Sequence, residues 1–423
     1  VSLSSDTSPD HLVQSSQSIV QGDGTTLGED IAQGKASLLK QSKAVWATAA
    51  AAVLAFMGIG LVDPILPAIA TNLQASAAEV SLLFTSYFLV TAVAMLATGW
   101  VSSRIGAKRT LLIGLGLIVV FATLSGTSGS VAELVGFRAG WGLGNALFVA
   151  TALAVIVGAA SGGAATAIIL YEAALGLGIS LGPLLGAVLG GWQWRAPFFG
   201  TATAMAIAFI ACLALLPALP RPANKIRLRD PLVALSHKGL RYTALSALCY
   251  NFGFFTILAF TPFILGMDAY GIGAVFFGWG VCLALASVFL APILQRHFGA
   301  IRVLTITLFA LIAVLVGIAL AAGRSVPAVV ALVIFAGVLL GVNNTLYTEL
   351  AMEVSDAPRA VASAGYNFVR WMGAALAPFL AAQLGEHFGP MVPFLAAAGV
   401  VLLGIVVVFT GRGFLTAHEA EIR

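Results

Sequence analysis

The sequence predicts an all-α polytopic membrane protein with twelve transmembrane helices in two pseudo-symmetric six-helix bundles. Three observations carry that reading: an apolar composition, a run of bilayer-length apolar stretches, and an internal repeat. Of 423 residues, 60% are hydrophobic and only 9% are charged, and the mean hydropathy is +1.02. A soluble domain carries about 25% charged residues. Crossing a bilayer takes roughly 20 apolar residues as a helix. A membrane barrel would show short alternating segments instead.

Taken in order, residues 1–43 are rich in Ser, Gln, Gly and acidic residues and end in Lys35, Lys40 and Lys43. With no apolar core before a cleavage site they do not read as a secretory signal, and they are expected to form a disordered cytoplasmic tail. Helices are expected at 44–70, 80–101, 110–127, 131–156, 162–188 and 196–217, which make the N-terminal bundle over 44–217. A second set at 242–264, 272–294, 301–322, 326–351, 360–384 and 390–411 makes the C-terminal bundle over 242–411. Residues 218–241 form the longest polar connection and are expected to be a cytoplasmic linker; 412–423 form a short cytoplasmic tail. If the first span leaves the cytoplasm, 17 Lys and Arg fall inside and only Arg195 and Arg324 outside. That asymmetry places both termini in the cytoplasm of a cell-membrane protein.

The net charge of +4 belongs to these loops, so nucleic acid is not an expected partner. Cys212, Cys249 and Cys282 sit singly in apolar segments, and the five His lie outside the spans. No metal site or disulfide is expected, and no phosphate loop or nucleophile motif marks an enzyme or an ATP-driven pump. No cofactor is expected beyond a proton as coupling ion, and the chain is expected to act as a monomer in contact with membrane lipid.

The repeat is visible in two places. "YEAALGLGISLGPLL" from Tyr171 aligns with "YNFVRWMGAALAPFL" from Tyr366 at an offset of 195, and "GAKR" from Gly106 with "GAIR" from Gly299 at 193. Concordant offsets argue for a duplicated half, as in one large class of transporters.

Several segments resemble motifs of the major facilitator superfamily, over about residues 44–411. "GWVSSRIGAKR" is similar to the loop G-x-x-x-D-R-x-G-R-R, keeping Gly99, Arg104, Gly106 and Lys108 but placing Ser103 where the family has an acid and Ala107 where it has Arg. In the family that acid helps latch the cytoplasmic gate. "LVGFRAGWG" resembles L-x-x-x-R-x-x-Q-G in Leu134, Arg138 and Gly142, with Trp141 in place of Gln. "GISLGPLLGA" resembles the antiporter motif G-x-x-x-G-P-x-x-G-G through Gly178, Gly182, Pro183 and Gly186, with Ala187 last. "GIGLVDPILP" matches G-x-x-x-x-x-P-x-x-P through Gly58, Pro64 and Pro67. This resemblance implies the twelve-helix drug:proton antiporter branch, with the glycines serving tight turns and close helix packing.

Ionisable residues inside a bilayer are costly, by about 2.5–3.5 kcal/mol on insertion scales, and mark functional sites by default. Four lie well within expected spans: Asp63, Arg138, Glu172 and Arg370. Asp63 and Arg138 stand at matching depth, so an ion pair or shared cavity is expected. Pro64 and Pro67 cannot donate to the carbonyls of Gly60 and Asp63, which suggests a wet polar pocket around the carboxylate. Burial favours the neutral acid and a nearby guanidinium the ionised one, the balance that proton coupling needs. Glu172 is expected to be a substrate or proton site, or a structural partner of Arg370. Asn145, Tyr250, Asn251, Asn343, Asn344 and Tyr366 are further pathway or interhelical hydrogen-bonding candidates. The 26 Phe would suit an aromatic cavity or a lipid-facing surface.

The expected function is a secondary active exporter that exchanges protons for a lipophilic drug-like molecule by alternating access. A lipid or metabolite exporter or flippase is the alternative, and a non-transporting membrane sensor working through the tail is a third reading.

Overall fold

A computed structural model describes residues 41–159, 163–217, 226–355 and 357–415. The expected tail over most of 1–43, most of the C-terminal tail, and Arg221 and Lys225 of the linker lie outside the described residues. Among the described residues twelve long helices run back and forth: α1 (Lys43–Asn72), α2 (Ala77–Ile105), α3 (Ala107–Thr127), α4 (Val131–Ala159), α5 (Gly163–Trp192) and α6 (Ala196–Leu215). Then follow α7 (Lys238–Leu265), α8 (Ala269–Phe298), α9 (Ala300–Ala321), α10 (Val326–Glu353), α11 (Arg359–Phe388) and α12 (Val392–Leu415). Ten of them are long and apolar enough to cross a membrane. The other two, α4 and α11, are 29 and 30 residues long and carry Arg138 and Arg370. Apolar side chains such as Ile207, Ile210, Phe289 and Leu403 are exposed on the outside of the bundle, as lipid contact requires. The protein is a multi-pass membrane protein.

Several helices extend past the apolar windows because polar caps continue them. The Ser76 hydroxyl accepts from the Glu79 N–H at 3.1 Å while the Glu79 carboxylate accepts from the Ser76 N–H at 2.9 Å, a reciprocal box that starts α2 before residue 80. Ser42, Asp268 and Ser325 cap α1, α8 and α10 from one side only, each side chain accepting from a backbone N–H of the first turn.

The repeat shows in the turns. Gly106 ends α2 at φ 90°, ψ 154°, and Gly299 ends α8 at φ 79°, ψ 151°. Only glycine adopts such positive φ without strain, so both copies of the loop keep it. Beside Gly106, the Lys108 ammonium donates to the carbonyls of Leu213, at 3.3 Å, and Leu216 at the end of α6. It neutralises the negative end of that helix. Lys108→Met is therefore expected to cost about 1 kcal/mol, read as a lower thermal-unfolding midpoint of the purified protein.

Two spans depart from unbroken α geometry. In α1, residues 63–65 form a 3-10 turn between the arms Lys43–Gly60 and Leu66–Asn72. In α8, residues 286–290 form a π turn. Pro292 follows it and cannot donate to the carbonyl of Val288, so the chain widens there. Ser287 stitches the turn to α10, donating to the Gly341 carbonyl at 3.0 Å and accepting on its own carbonyl from Thr345 at 3.2 Å.

The two sets of six helices meet through α2 against α11 and α5 against α8. At one end of the first seam the Ala78 N–H donates to Glu386 at 2.8 Å, and at mid-length Phe88 stacks on Trp371 with centroids 5.2 Å apart. Along the second, Gly176 faces Ala284, Gly280 faces Ser180, and Tyr270 covers Gly191. The connection between the sets lies against both. Ile226 fits over Gly99 of α2, and Pro231 and Leu235, in and after the short helix Asp230–Ala234, press on Gly365 of α11.

Candidate functional site

Between the two helix sets, at mid-length of the helices, lies a cavity with about 570 Å³ of empty space counting its mouth. Small-molecule sites are mostly apolar with a few placed polar groups. This one is walled by the rings of Phe56 (α1), Phe254 and Phe255 (α7), Trp279 (α8) and Trp371 (α11). Aliphatic contacts come from Ile59, Leu175, Ile179, Leu258 and Leu283, and the polar lining is Asn251, Asn344 and Arg370. The "NFGFF" run thus turns rings inward: Phe255 packs on Phe88 and Trp371 with centroids 4.4 and 6.0 Å away.

Arg370 is held from several sides. Its guanidinium donates to Asn344 Oδ1 at 2.7 Å and to the hydroxyls of Tyr366 at 3.4 Å and Thr348 at 3.5 Å. Its carbonyl accepts from Asn251 Nδ2 at 3.0 Å. Charge-assisted bonds of this kind fix a planar fork in one orientation. Of the expected pathway residues, Asn251, Asn344 and Arg370 line the cavity. Tyr366 supports Arg370 from behind, while Tyr250 is fully buried and stacks on Tyr347 at 5.3 Å. Asn145 is buried away from the cavity, and Asn343 accepts from Thr307 at 2.6 Å, an interhelical bond. Glu172 belongs to α5, but its side chain lies outside the described residues, and so does the expected pairing with Arg370.

Asp63 and Arg138 are both fully buried. The expected ion pair does not form within 4.0 Å. Each feels the other's charge, but neither side chain hydrogen-bonds to a described residue. Arg138 instead lies between two rings, 4.4 Å from the centroid of Tyr87 and 4.6 Å from that of Trp141. Trp141, standing where the family motif has Gln, supplies a π face in place of an amide. A desolvated cation–π contact is worth about 2 kcal/mol, and two of them account for a guanidinium held without a carboxylate.

The wet pocket expected around Asp63 is also corrected. Its carbonyl, denied a donor by Pro67, accepts from the Leu66 N–H because the backbone tightens into the 3-10 turn, and the Val62 carbonyl likewise takes the Ile65 N–H at 3.1 Å. The side chain sits in a closed position beside Gly60, with Oδ2 3.5 Å from where a Gly60 Cβ would be. Gly60 itself lines the cavity. Acid and cavity are thus neighbours across one residue of α1, not one compartment.

The α5 glycines set that wall in place. A Cβ on Gly178 would lie 2.5 Å from the Val53 carbonyl oxygen and one on Gly182 2.6 Å from that of Met57, while Gly186 sits directly on the Leu61 carbonyl. Four-residue spacing on both helices lets the backbones touch. Pro183 lies on Gly60 in the same interface. In the α2–α3 loop, Arg104 covers the Trp100 ring at 4.2 Å, and the buried Ser103 hydroxyl donates to the Trp100 carbonyl at 2.9 Å. Gly99 receives the linker residue Ile226 where a close helix approach was expected.

Sequence reasoning missed Tyr87, Trp279 and Trp371. Trp371 had a signal, since it follows Arg370 inside the repeated helix. Tyr87 and Trp279 had none, because their partners lie on other helices.

Comparison with known proteins agrees with this architecture. A family model described as Major Facilitator Superfamily matches residues 48–378. The multidrug efflux protein YfmO of Bacillus subtilis (strain 168) is 52% identical over 386 residues, covering 91% of this chain and 97% of its own. The tetracenomycin C resistance and export protein of Streptomyces glaucescens is 32% identical over 177 residues, 40% of this chain and 33% of its own. Among solved structures, a bacterial homolog of the human lysosomal transporter Spinster, inward-facing and unoccupied, superposes with a TM-score of 0.74 at 15% identity, covering 89% of this chain and 97% of its own. Motifs, twelve helices in two sets and a family match across most of the length converge: the chain belongs to the major facilitator superfamily.

Proposed function

We propose that the protein is a secondary active exporter that moves lipophilic drug-like molecules out of the cell in exchange for protons. The observation that carries this reading is the aromatic cavity at mid-length, walled by both halves of the molecule. Such a site is accessible alternately as the two bundles, 44–217 and 242–411, rock about it. The 52% identity to a multidrug efflux protein supports a drug-like substrate.

Proton coupling is assigned to Asp63, with Arg138 as its electrostatic counterweight. A buried acid next to Gly60 can bias the wall of the cavity through one residue of backbone, and it shifts the equilibrium to the extent that its proton affinity differs between the two states. Glu172 is proposed as a second substrate or proton site, and Arg370, Asn251 and Asn344 as substrate contacts. Both termini and the basic loops are placed in the cytoplasm.

The test is transport into inside-out proteoliposomes with an acid lumen, using a panel of lipophilic dyes. Accumulation above that of protein-free vesicles, collapsed by a proton ionophore, is the expected outcome. Equal accumulation with and without the protein across the panel, or accumulation indifferent to the ionophore, would refute the exchange.

A further inference from the structure

At one end of the molecule the two helix sets are joined by a contact that neither helix needs for its own formation. The start of α2 is already closed by the Ser76–Glu79 box, which takes up the N–H groups of Ser76 and Glu79. The N–H of Ala78, a buried residue in the same turn, stands outside that box. It is one of the donors that a helix start leaves without an intrahelical acceptor. Its partner is Oε1 of Glu386, at 2.8 Å, in the last turn of α11 and 308 residues along the chain. A carboxylate there occupies the negative end of its own helix, where the dipole disfavours it. Against α2 it meets a positive end instead. Glu386 is thus placed to suit the neighbouring helix, across the seam between the halves.

The second seam is closed at the same end. The ring of Tyr270, in the first turn of α8, lies where a Cβ on Gly191 near the end of α5 would be, and one turn further in Gly273 rests on Ala187. At the other end of the first seam the contacts change. Phe88 and Gly99 fall on one stripe of α2, yet Phe88 meets Trp371 of α11 whereas Gly99 meets Ile226 of the connecting segment. By the charge of the loops, the end that Glu386 and Tyr270 close is the outer one.

We infer that Glu386 is the latch of an outer gate: docked on the start of α2, and assisted by Tyr270 on α5, it holds the two halves together on the outer side and lets go each time the site opens outward. This rests on the alternating-access reading above and names the residues that set its conformational equilibrium. Two contacts on opposite seams of one rigid-body motion are coupled, so weakening either raises the opening of both. A carboxylate docked on a helix start is worth about a fivefold shift in such an equilibrium.

The test is hydrogen–deuterium exchange, read by mass spectrometry, on the full chain in lipid nanodiscs with neither substrate nor pH gradient. When opening is at equilibrium, the exchange rate follows the open fraction. Glu386→Ala removes both acceptor and charge. It is expected to speed exchange about fivefold at the start of α2, and also at the end of α5 and the start of α8 on the opposite seam. Glu386→Gln keeps an acceptor oxygen and should have a smaller effect at the same places. Tyr270→Ala leaves Glu386 in place and should still speed exchange at the start of α2. Exchange in the middle of α3 should match that of the unaltered protein, which reports an intact fold. A rise confined to α2 after Glu386→Ala would make the contact a helix cap and overturn the latch. Equal exchange in all variants would overturn it too. Either result leaves the exporter reading standing, because dye accumulation in proteoliposomes tests that separately.

Discussion

Asp63→Asn is expected to abolish pH-gradient-driven efflux, to the level of protein-free vesicles, while the protein still inserts and folds. The substitution is nearly isosteric, and the carboxylate makes no hydrogen bond to a described residue that could be lost. What it removes is the capacity to carry a proton in a closed position next to the cavity wall. Arg138→Gln is expected to behave differently. It withdraws the charge that balances Asp63 and empties the slot between Tyr87 and Trp141. Each desolvated cation–π contact is worth about 2 kcal/mol, so this variant is expected to lose stability as well as transport. Combining the two should restore part of the stability and none of the transport, a non-additivity measured by thermal unfolding beside the flux assay. Undiminished gradient-dependent efflux by Asp63→Asn would remove that residue from the mechanism.

The second large effect is structural. Gly182→Val or Gly186→Leu should drive α5 off α1 and cost about 3 kcal/mol or more, because the added atoms would meet the Met57 and Leu61 carbonyls on a helix backbone that cannot yield. Gly136, exposed in α4 with open space where its Cβ would be, is the control. Gly136→Ala should be neutral or stabilising by up to about 1 kcal/mol. Unfolding midpoints in detergent that fail to separate the two positions would show that the α1–α5 contact is not tight in the protein.

What the sequence made legible follows from what each feature depends on. Apolar runs and their turns depend on local composition, so the order of the twelve helices was readable from it. Small residues four apart leave few alternatives to a close helix contact, and the Gly178, Gly182 and Gly186 stripe does pack in that way. The ends were read short because the Ser76–Glu79 box and its counterparts extend helices through polar residues that an apolar window excludes.

The site was harder to read for a physical reason. Asp63 and Arg138 were identified by the cost of burying charge, but their partners depend on which helices lie side by side. Tyr87 is 51 residues before Arg138, and nothing local links them. Freed carbonyls near Pro64 and Pro67 argued for solvent, whereas a switch of hydrogen-bond pattern inside the same chain satisfied the Asp63 carbonyl. Asn251 and Tyr250 are adjacent and chemically similar candidates. Only the rotation of α7 decides that one faces the cavity and the other packs on Tyr347.

The π turn of α8 has a consequence for the arm beyond it. A π turn winds one surplus residue into the same rotation, so everything downstream falls about 100° behind an unbroken α-helical wheel, and on such a wheel Ala291–Phe298 is out of phase with Trp279 and Leu283. A wheel drawn straight through the whole of α8 therefore assigns the last two turns to the wrong azimuth. Deleting one residue from 286–290 is expected to close α8 into an unbroken α-helix while Arg296 keeps the azimuth at which it now emerges.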